Sequence, residues 1–389
     1  MTRSVRQFRT LSFIILILLG LGFAQAAETQ TFEASPGGTL SLVCKSGGSA
    51  HITGWDQDQI EVNYQDKSND LSDWDIEFEE TSDGLVITSK IASDINSSSM
   101  HFEIMVPRNY DLRFESAGGG LTLENLEGSF TGKTAGGEFN LTRVDGKARL
   151  RSGGGQIRVE DCELNGNIST GGGKVWVTDV VGDLKVTSGG GNIRYNNVRD
   201  RQGHLRSPNG EKVGGMSEDS VLISSAGGGI DLDEAPQGAI VRTGGGNINI
   251  KNAEKFVIAK TGGGDIDVAI HNGWTRVTTG AGDIGVIFSG DHFNIEGKTV
   301  IRSGYGDVTI MVPENFQLDI DIDLKMTHNS ERNYRIISDL PLDQEPPQDL
   351  GKNGHNRMKH IVATSPSGSG HPVKIQTTNG NISIKVIQE

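Results

Sequence analysis

A strict repeat of 18 residues organises the centre of the chain and limits the folds it can adopt. The first apolar residues after successive glycine clusters form two series, each with a constant step of 18: Leu121, Phe139, Ile157, Val175, Ile193, and Ile230, Ile248, Ile266, Ile284. Hairpins need not have equal lengths, whereas stacked repeats do. The constant step therefore favours coils that pack on one another over an antiparallel arrangement.

Each repeat carries the pattern of two short strands. From Val175, apolar residues lie at offsets 0, +2, +5, +9 and +11, and the outer pairs alternate with polar residues, as in strands that bury one face. Val180 fits an inward corner. Gly182 and the glycines 171–173 fit tight bends, where positive φ or close contact between coils excludes a Cβ, so we expect the middle glycine, Gly172, to resist substitution.

These observations predict an all-β fold, a parallel β-solenoid or β-helix-like stack of about 18-residue Gly-rich coils. The alternative is an antiparallel β-meander with Gly-rich turns. The step from Ile193 to Ile230 is 37 residues, two periods plus one, which predicts a poorly matched coil around Ser207–Gly210. The step of 24 from Ile284 to Val308 predicts a single coil with about six extra residues near Asp291.

The repeats divide the chain into four parts. Residues 1–26 are predicted to be a signal peptide, 27–115 an N-terminal β cap region, 116–310 the central solenoid and 311–389 the closing strands, with a long polar loop at 339–371. A shared Val-Pro-x-Asn-aromatic-x-Leu phrase, at Val106–Leu112 and again at Val312–Leu318, brackets the repeats.

The N-terminus has the composition of an export signal. Arg3, Arg6 and Arg9 precede an apolar run from Leu11 to Phe23, and Ala24-Gln25-Ala26 offers a small-x-small cleavage site. The run is shorter than the ~20 residues that cross a bilayer, so we expect no transmembrane span after cleavage. An uncleaved anchor is the alternative. The mature protein is predicted to be exported, in the periplasm, outside the cell or at its surface.

The sequence allows two states for the two cysteines, Cys44 and Cys162. An oxidising compartment would permit a disulfide between them. Cys162 also occupies an inward position of the repeat, so both could instead be small buried apolar side chains.

Several segments resemble a known family. Gly48–Asp56, followed by Ile60-Glu61-Val62, is similar to its opening strand pair, Val106-Pro107 to its usual entry into the repeats, and Thr377–Ile382 to its closing strand. In this order the segments resemble the bacterial adhesin-like family of Gly-rich β-strand-repeat domains, nicknamed toast-rack. The resemblance implies an envelope-associated, non-enzymatic β protein, and it carries over no catalytic residues.

No familiar catalytic motif occurs, and we expect no catalytic, cofactor or metal site. His355, His360 and His371 match no familiar zinc spacing. Gly262–Asp267 resembles one phrase of a calcium-binding nonapeptide, but most coils lack the aspartate. The alternating acids at 73–79 and 319–323 fit solvated strand faces. The chain has a net charge of −14, which becomes −17 when three arginines leave with residues 1–26. This acidity argues against nucleic-acid partners.

One surface feature stands out. The residues that follow each first apolar residue should form an outward row, Thr122, Asn140, Arg158, Trp176 and Arg194, then Asp231, Asn249, Asp267 and Gly285. Stacking would place Trp176 between Arg158 and Arg194 in adjacent coils, a candidate surface-binding strip. The alternative is that these outward side chains are ordinary solvent-exposed residues of a sheet face with no binding role.

The leading functional hypothesis is an exported, non-enzymatic, adhesin-like structural or interaction protein of the bacterial cell envelope. Its partner would be an envelope protein or polysaccharide. A β-helical enzyme acting on envelope polysaccharide, and an envelope-stress accessory protein, are the alternatives.

The signal peptide makes a direct prediction. The mature N-terminus is expected at Ala27, because cleavage follows the small-x-small site. Intact-mass and N-terminal peptide analysis of the exported protein tests this, and retention of residues 1–26 would contradict it.

Overall fold

The alternating apolar pattern produces strands throughout the chain. The computed structural model describes residues 28–66, 71–91, 99–182, 184–199, 221–290, 297–327, 333–350, 358–366 and 370–387. Within these ranges no helix has the length and apolarity needed to span a bilayer. The signal peptide and Ser207–Gly210 lie outside the described residues.

The strands are numbered in chain order. The first eight are β1 (Glu28–Glu33), β2 (Thr39–Cys44), β3 (Gly48–Trp55), β4 (Gln59–Asp66), β5 (Trp74–Thr81, after a 3-10 turn at Leu71–Asp73), β6 (Gly84–Ile91), β7 (Met100–Pro107) and β8 (Asp111–Ser116). The central strands are β9 (Leu121–Thr134), β10 (Phe139–Ser152), β11 (Ile157–Thr170), β12 (Val175–Val181), β13 (Leu184–Ser188), β14 (Ile193–Arg199), β15 (Val221–Ser225), β16 (Ile230–Leu232), β17 (Ala239–Thr243), β18 (Ile248–Thr261), β19 (Ile266–Thr279), β20 (Ile284–Ser289), β21 (Thr299–Ser303) and β22 (Val308–Pro313). The last are β23 (Leu318–Thr327), β24 (Ile336–Ser338), β25 (Asp343–Gln344), β26 (Gln348–Leu350), β27 (Met358–Thr364), β28 (His371–Thr378) and β29 (Ile382–Ile387).

The central strands form a parallel stack with a register of one repeat. Phe139 pairs with Leu121 on one side and with Ile157 on the other, and the same step continues through β11, β12 and β14. The parallel solenoid is therefore confirmed, and the antiparallel meander is wrong for the central repeats. Inward residues of both strands of each coil belong to one continuous apolar core. Val180, at the inward corner, is fully buried.

The two irregular steps have different outcomes. Ile284 pairs directly with Val308, so the prediction of one coil with six extra residues is confirmed. Ile193 pairs directly with Ile230, and Ser188 with Ser225, so no coil stands between them and the predicted intervening coil is wrong. The 37 residues comprise one 18-residue step and 19 inserted residues.

In each early coil, one residue at the corner after the first apolar pair has a left-handed backbone conformation. Asn125, Arg143, Asp161, Asp179 and Asn197 have φ between +49° and +55°, and four of these five residues are Asn or Asp. Asn and Asp tolerate this conformation better than most residues, because their short polar side chains bond locally. Gly182 has φ +124°, which agrees with its predicted place in a tight bend.

The glycine turns differ from the expectation for their middle residue. Gly172 has open space around its Cβ position and no left-handed φ, so the expected intolerance at Gly172 is wrong. The constrained residues are its two neighbours: a Cβ on Gly173 would overlap the carbonyl oxygen of Gly155 one coil earlier, and a Cβ on Gly171 would overlap that of Gly153. The same overlap recurs along the stack, while Ala281 and Tyr305 occupy the middle position in later turns.

A column of hydroxyl groups runs beside these glycines. Thr170 donates a hydrogen bond to the carbonyl oxygen of Gly155 (2.7 Å) and accepts one from the backbone N–H of Gly173 (3.1 Å), so it joins one turn to the next. Equivalent donor–acceptor distances to the preceding turn run from 2.7 to 3.4 Å. This hydroxyl ladder comprises Ser116, Thr134, Ser152, Thr170, Ser188, Ser225, Thr243, Thr261, Thr279, Ser303 and Thr377.

The order of coils along the stack departs from chain order at both ends. β2 pairs with β6 and β8, and β3 pairs with β7 and β9, so the β2–β3 coil lies inside the β6–β7 coil. At the other end β28 lies between β21 and β23, and β29 between β22 and β24. The chain passes over one coil from β7 to β8, and again from β22 to β23. These crossovers are the two places where the repeated Val-Pro phrase occurs, with Tyr110 and Phe316 buried.

Antiparallel strands cover the two ends. At the N-terminal end β4 pairs with β7, β1 with β4, and β5 with β6. At the C-terminal end β27 pairs with β23, and β25 and β26 pair with β27. The predicted polar loop at 339–371 is therefore wrong, since β25, β26 and β27 lie within it. Ile361 and Ala363 pack into the core, a short alternation hidden among Pro, Gly and polar residues.

Cys44 and Cys162 are both free and buried, so the structure contradicts the disulfide. Cys44 pairs with Ser116 at the start of the hydroxyl ladder, whereas Cys162 pairs with Val180 in the corner column. Four coil steps of about 4.8 Å separate them along the stack, about 19 Å, far beyond the reach of a disulfide. Burial raises the pKa of each thiol to about 11.

The glycine geometry predicts opposite outcomes for neighbouring substitutions. Gly173→Ala is expected to lower the free energy of unfolding by about 2–4 kcal/mol, because its Cβ would overlap backbone and force two coils apart. Gly172→Ala should change it by less than about 0.5 kcal/mol. Chemical denaturation measures both, and equal losses would contradict this placement of the glycines.

The hydroxyl ladder predicts a second effect. Thr170→Val keeps the shape but leaves a buried carbonyl and a buried N–H without partners, so unfolding should become easier by about 1–3 kcal/mol. Thr170→Ser keeps the hydroxyl and is the matched control, since Ser152 and Ser188 occupy the same position. A valine variant as stable as the serine variant would show that the ladder contributes nothing.

Candidate binding surface on the outer face

The outward row predicted from sequence is one continuous column. Trp176 pairs with Arg158 on one side and Arg194 on the other, and Arg194 pairs with Asp231, which joins the two sequence series. Nine residues aligned in this way are called the outer column below: Thr122, Asn140, Arg158, Trp176, Arg194, Asp231, Asn249, Asp267 and Gly285.

The aromatic part of the column has the predicted alignment. Trp176 is half-buried, and Arg158 and Arg194 are exposed on the adjacent strands. The guanidinium carbon of Arg158 lies 5.3 Å from the centroid of the indole ring, a cation–π contact worth about 0.5–1 kcal/mol at an exposed site. Among the described residues, Arg158 makes the cation–π contact found at this indole. One of the two arginine contacts predicted for Trp176 is therefore present.

This arrangement combines a fixed flat apolar ring with nearby hydrogen-bond donors. The strands around Trp176 are paired on both edges, which holds its backbone in place without help from a partner. Surfaces of this kind bind with little ordering of their own, because the backbone is already fixed. The indole can pack on an apolar surface while the guanidinium groups bind carboxylate or hydroxyl oxygens.

Aspartates next to the column bond the backbone of the following glycine turn. The Asp265 carboxylate accepts the backbone N–H of Asp283 (2.9 Å), and Asp283 accepts that of Asp307 (2.8 Å). Burial, and then the charges of Asp265 and Asp283, raises the pKa of Asp267. Asp265, the aspartate of the calcium-like phrase, therefore accepts a hydrogen bond from the next glycine turn. Within the described ranges, no group of three or more His, Cys, Asp or Glu side chains has a geometry that could hold a metal.

The histidines noted in the sequence have separate surroundings. His360 Nε2 lies 2.6 Å from a carboxylate oxygen of Asp323, and His371 Nε2 lies 3.0 Å from the hydroxyl of Thr299. Burial lowers the pKa of His371 to about 4. His355 lies outside the described residues.

The two acidic strand rows form part of the end caps. On β5, Asp75 pairs with Lys90 at 2.9 Å, and on β23, Asp321 pairs with Lys374 at 2.6 Å. Burial acts to raise the pKa of Asp323, but Lys325 and His360 outweigh it and hold the value below normal. Asp75, Asp321 and Asp323 therefore contact specific basic side chains, whereas the sequence predicted only solvated strand faces.

Two shallow depressions lie on the opposite side of the core from the outer column. One, about 310 Å³, is lined by Thr278, Arg302, Asp323, Lys325 and Gln376, among others. The other, about 350 Å³, is lined by Ser116, Lys133 and Arg151 with the adjoining turn. Both contain basic side chains that sequence reasoning did not select. The signal was the recurrence of Lys and Arg four, six or eight residues before the last glycine of most turns, hidden by the acidic total.

The comparisons with known proteins give no family assignment. No protein-family model matches the chain, and no curated protein matches it. A solved structure of a putative cell adhesion protein from Clostridium sporogenes is similar over 94% of this chain and 100% of its own, at 10% sequence identity and a TM-score of 0.18.

Proposed function

We propose that this chain is an exported, non-enzymatic, adhesin-like interaction protein of the bacterial cell envelope. The observation that carries the proposal is the half-buried Trp176, held on a rigid parallel sheet with the Arg158 guanidinium over its ring. Aromatic and arginine side chains recur as the energetic anchors of binding surfaces. The outer column is the surface we assign to the partner.

The architecture supports a scaffold that presents this surface. The core runs through every coil, and antiparallel strands cover both ends of the stack. Solenoids offer extended surfaces whose side chains recur at fixed spacing. The N-terminal sequence supports export of the protein to the compartment where an envelope partner would be met.

The partner class follows from the anchors. An envelope protein could place an apolar side chain on the indole and a carboxylate against Arg158 or Arg194. A polysaccharide could pack a sugar ring on the indole and hydrogen-bond the same guanidinium groups. Separate envelope fractions distinguish these two kinds of partner.

The test measures binding of the protein lacking residues 1–26 to purified cell-wall sacculi and, separately, to detergent-solubilised envelope proteins. Trp176→Ala should weaken binding to the recognised fraction by about thirtyfold or more, as expected for an anchor of about 2 kcal/mol or more. Tyr305→Ala is the matched control, because Tyr305 is 56% exposed on a glycine turn away from the column. Thermal melting verifies the fold of both variants, and undiminished binding by Trp176→Ala would overturn the proposal.

A further inference from the structure

A second face of the stack gathers basic side chains in an acidic chain. It comprises the outward positions in the second half of each coil, which are the C-terminal parts of β9, β10, β11, β18 and β19 and the strands β13, β15, β17 and β21. We call it the basic face, and its charged residues are Lys133, Lys147, Arg149, Arg151, Lys185, Arg242, Lys260, Arg276 and Arg302. Over the described outward positions of this face, from Ser129 onward, every charged side chain is Lys or Arg.

Most of these charges lack acidic partners. Lys133 pairs with Glu115 at 2.9 Å, beyond the edge of the face. Within the described part of the chain, no carboxylate forms an ion pair with Arg149, Arg151, Lys185 or Lys260. Arg276 lies over the ring of Trp274 at 5.1 Å, which fixes the cation without neutralising it.

Two pairs of like charges also lie directly opposite each other on neighbouring strands. Lys133 pairs with Arg151 across one strand boundary, and Arg242 with Lys260 across another. Like charges directly opposite in a sheet destabilise it. A partner of opposite charge would remove this repulsion, and so these positions gain most from an anionic ligand.

The described acids around the face confine it to one band. Glu127, Asp145 and Glu163 border it at the corner that precedes the second strand, and the acids of β5 and β23 lie at the two ends of the stack. The glycine turns form the other border. The band spans nine strands, and eight steps of about 4.8 Å give a length of about 38 Å. The two shallow depressions lie along it, with Lys133 and Arg151 in one and Arg302 in the other.

The composition of the face selects among anionic partners. Proteins that bind membrane surfaces insert exposed aromatic or large aliphatic side chains. Here Ile240, Phe256 and Trp274 are buried, and the large exposed apolar residues of the described chain, Ile287, Tyr305 and Ile337, lie elsewhere. Single-stranded nucleic acids are bound by stacking bases on exposed aromatics, and the aromatics of this face are covered. Thr131, Asn167, Thr187 and Thr278 instead place hydroxyl and amide groups between the cations.

We propose that the basic face binds a linear acidic polysaccharide that runs along the axis of the stack. Carboxylate or sulfate groups along the polymer would meet Arg149, Arg151 and Lys185 in one half, and Arg242, Lys260 and Arg302 in the other. Sugar hydroxyls would bond the intervening Thr and Asn side chains. This face lies across the core from the outer column, so the inference does not rest on the proposed function.

The test uses the protein without residues 1–26 and defined polymers: polygalacturonate, dextran sulfate and neutral dextran. Both acidic polymers should bind, neutral dextran should not, and binding should weaken between about 50 and about 300 mM salt as screening increases. Arg149→Gln/Arg151→Gln should weaken binding roughly five- to thirtyfold, the effect of two exposed ionic contacts. Lys174→Gln/Lys385→Gln, with the same charge change outside the face, is the matched control.

Other outcomes overturn the proposal. Equal losses in the two double variants would show a response to net charge rather than to this face. Tighter binding to phosphatidylglycerol vesicles would assign the face to a lipid surface, and tighter binding to a single-stranded DNA oligonucleotide would assign it to nucleic acid. Failure of every polyanion to bind would refute an anionic partner. Matching melting temperatures for the parent and both double variants establish that the fold is intact.

Discussion

The contact between successive glycine turns governs this architecture. Backbone approaches backbone there so closely that a Cβ on the third glycine has no room, and a Ser or Thr hydroxyl joins each turn to the one before. Polar groups buried in a turn must find partners inside the protein. Because the coils from Ser116 to Thr377 all meet this requirement with a glycine and a Ser or Thr hydroxyl, they stay in register. The side-chain columns follow from that register.

Two surfaces of different chemistry arise from the same repetition. The first strand of each coil presents the outer column, with Trp176 and two arginines near its centre. The second half of each coil presents a band of Lys and Arg, most of which have no carboxylate partner among the described residues. Because equivalent positions lie one strand apart, a few substitutions at one offset of the repeat are enough to build an extended surface. The acidic total charge of the chain conceals the basic band, since it sums over faces that point in different directions.

Much of the fold was predictable from the sequence, for stated physical reasons. Strand alternation and the constant step fixed the coil and the alignment of Arg158, Trp176 and Arg194. The 37-residue step was misread because spacing alone does not separate an insertion from a coil, although its one surplus residue broke the alternation that a true coil preserves. Ala281 and Tyr305 were the available signs that the middle glycine is free. The buried strands at 343–364 and the coil order at the ends depend on pairing between distant segments, which local pattern does not encode.

The exchanged coil order has a consequence for assembly. A simple solenoid, in which the coils stack in chain order, can add or lose its outermost coil without disturbing the others. Here β2–β3 and β28–β29 are interior members of the column, each held between coils drawn from elsewhere in the chain. Removing either segment would open a gap inside the stack rather than shorten it. Each end of the stack is therefore complete only when segments far apart in the chain have paired. This long-range pairing opposes local unfolding of the terminal coils at both ends.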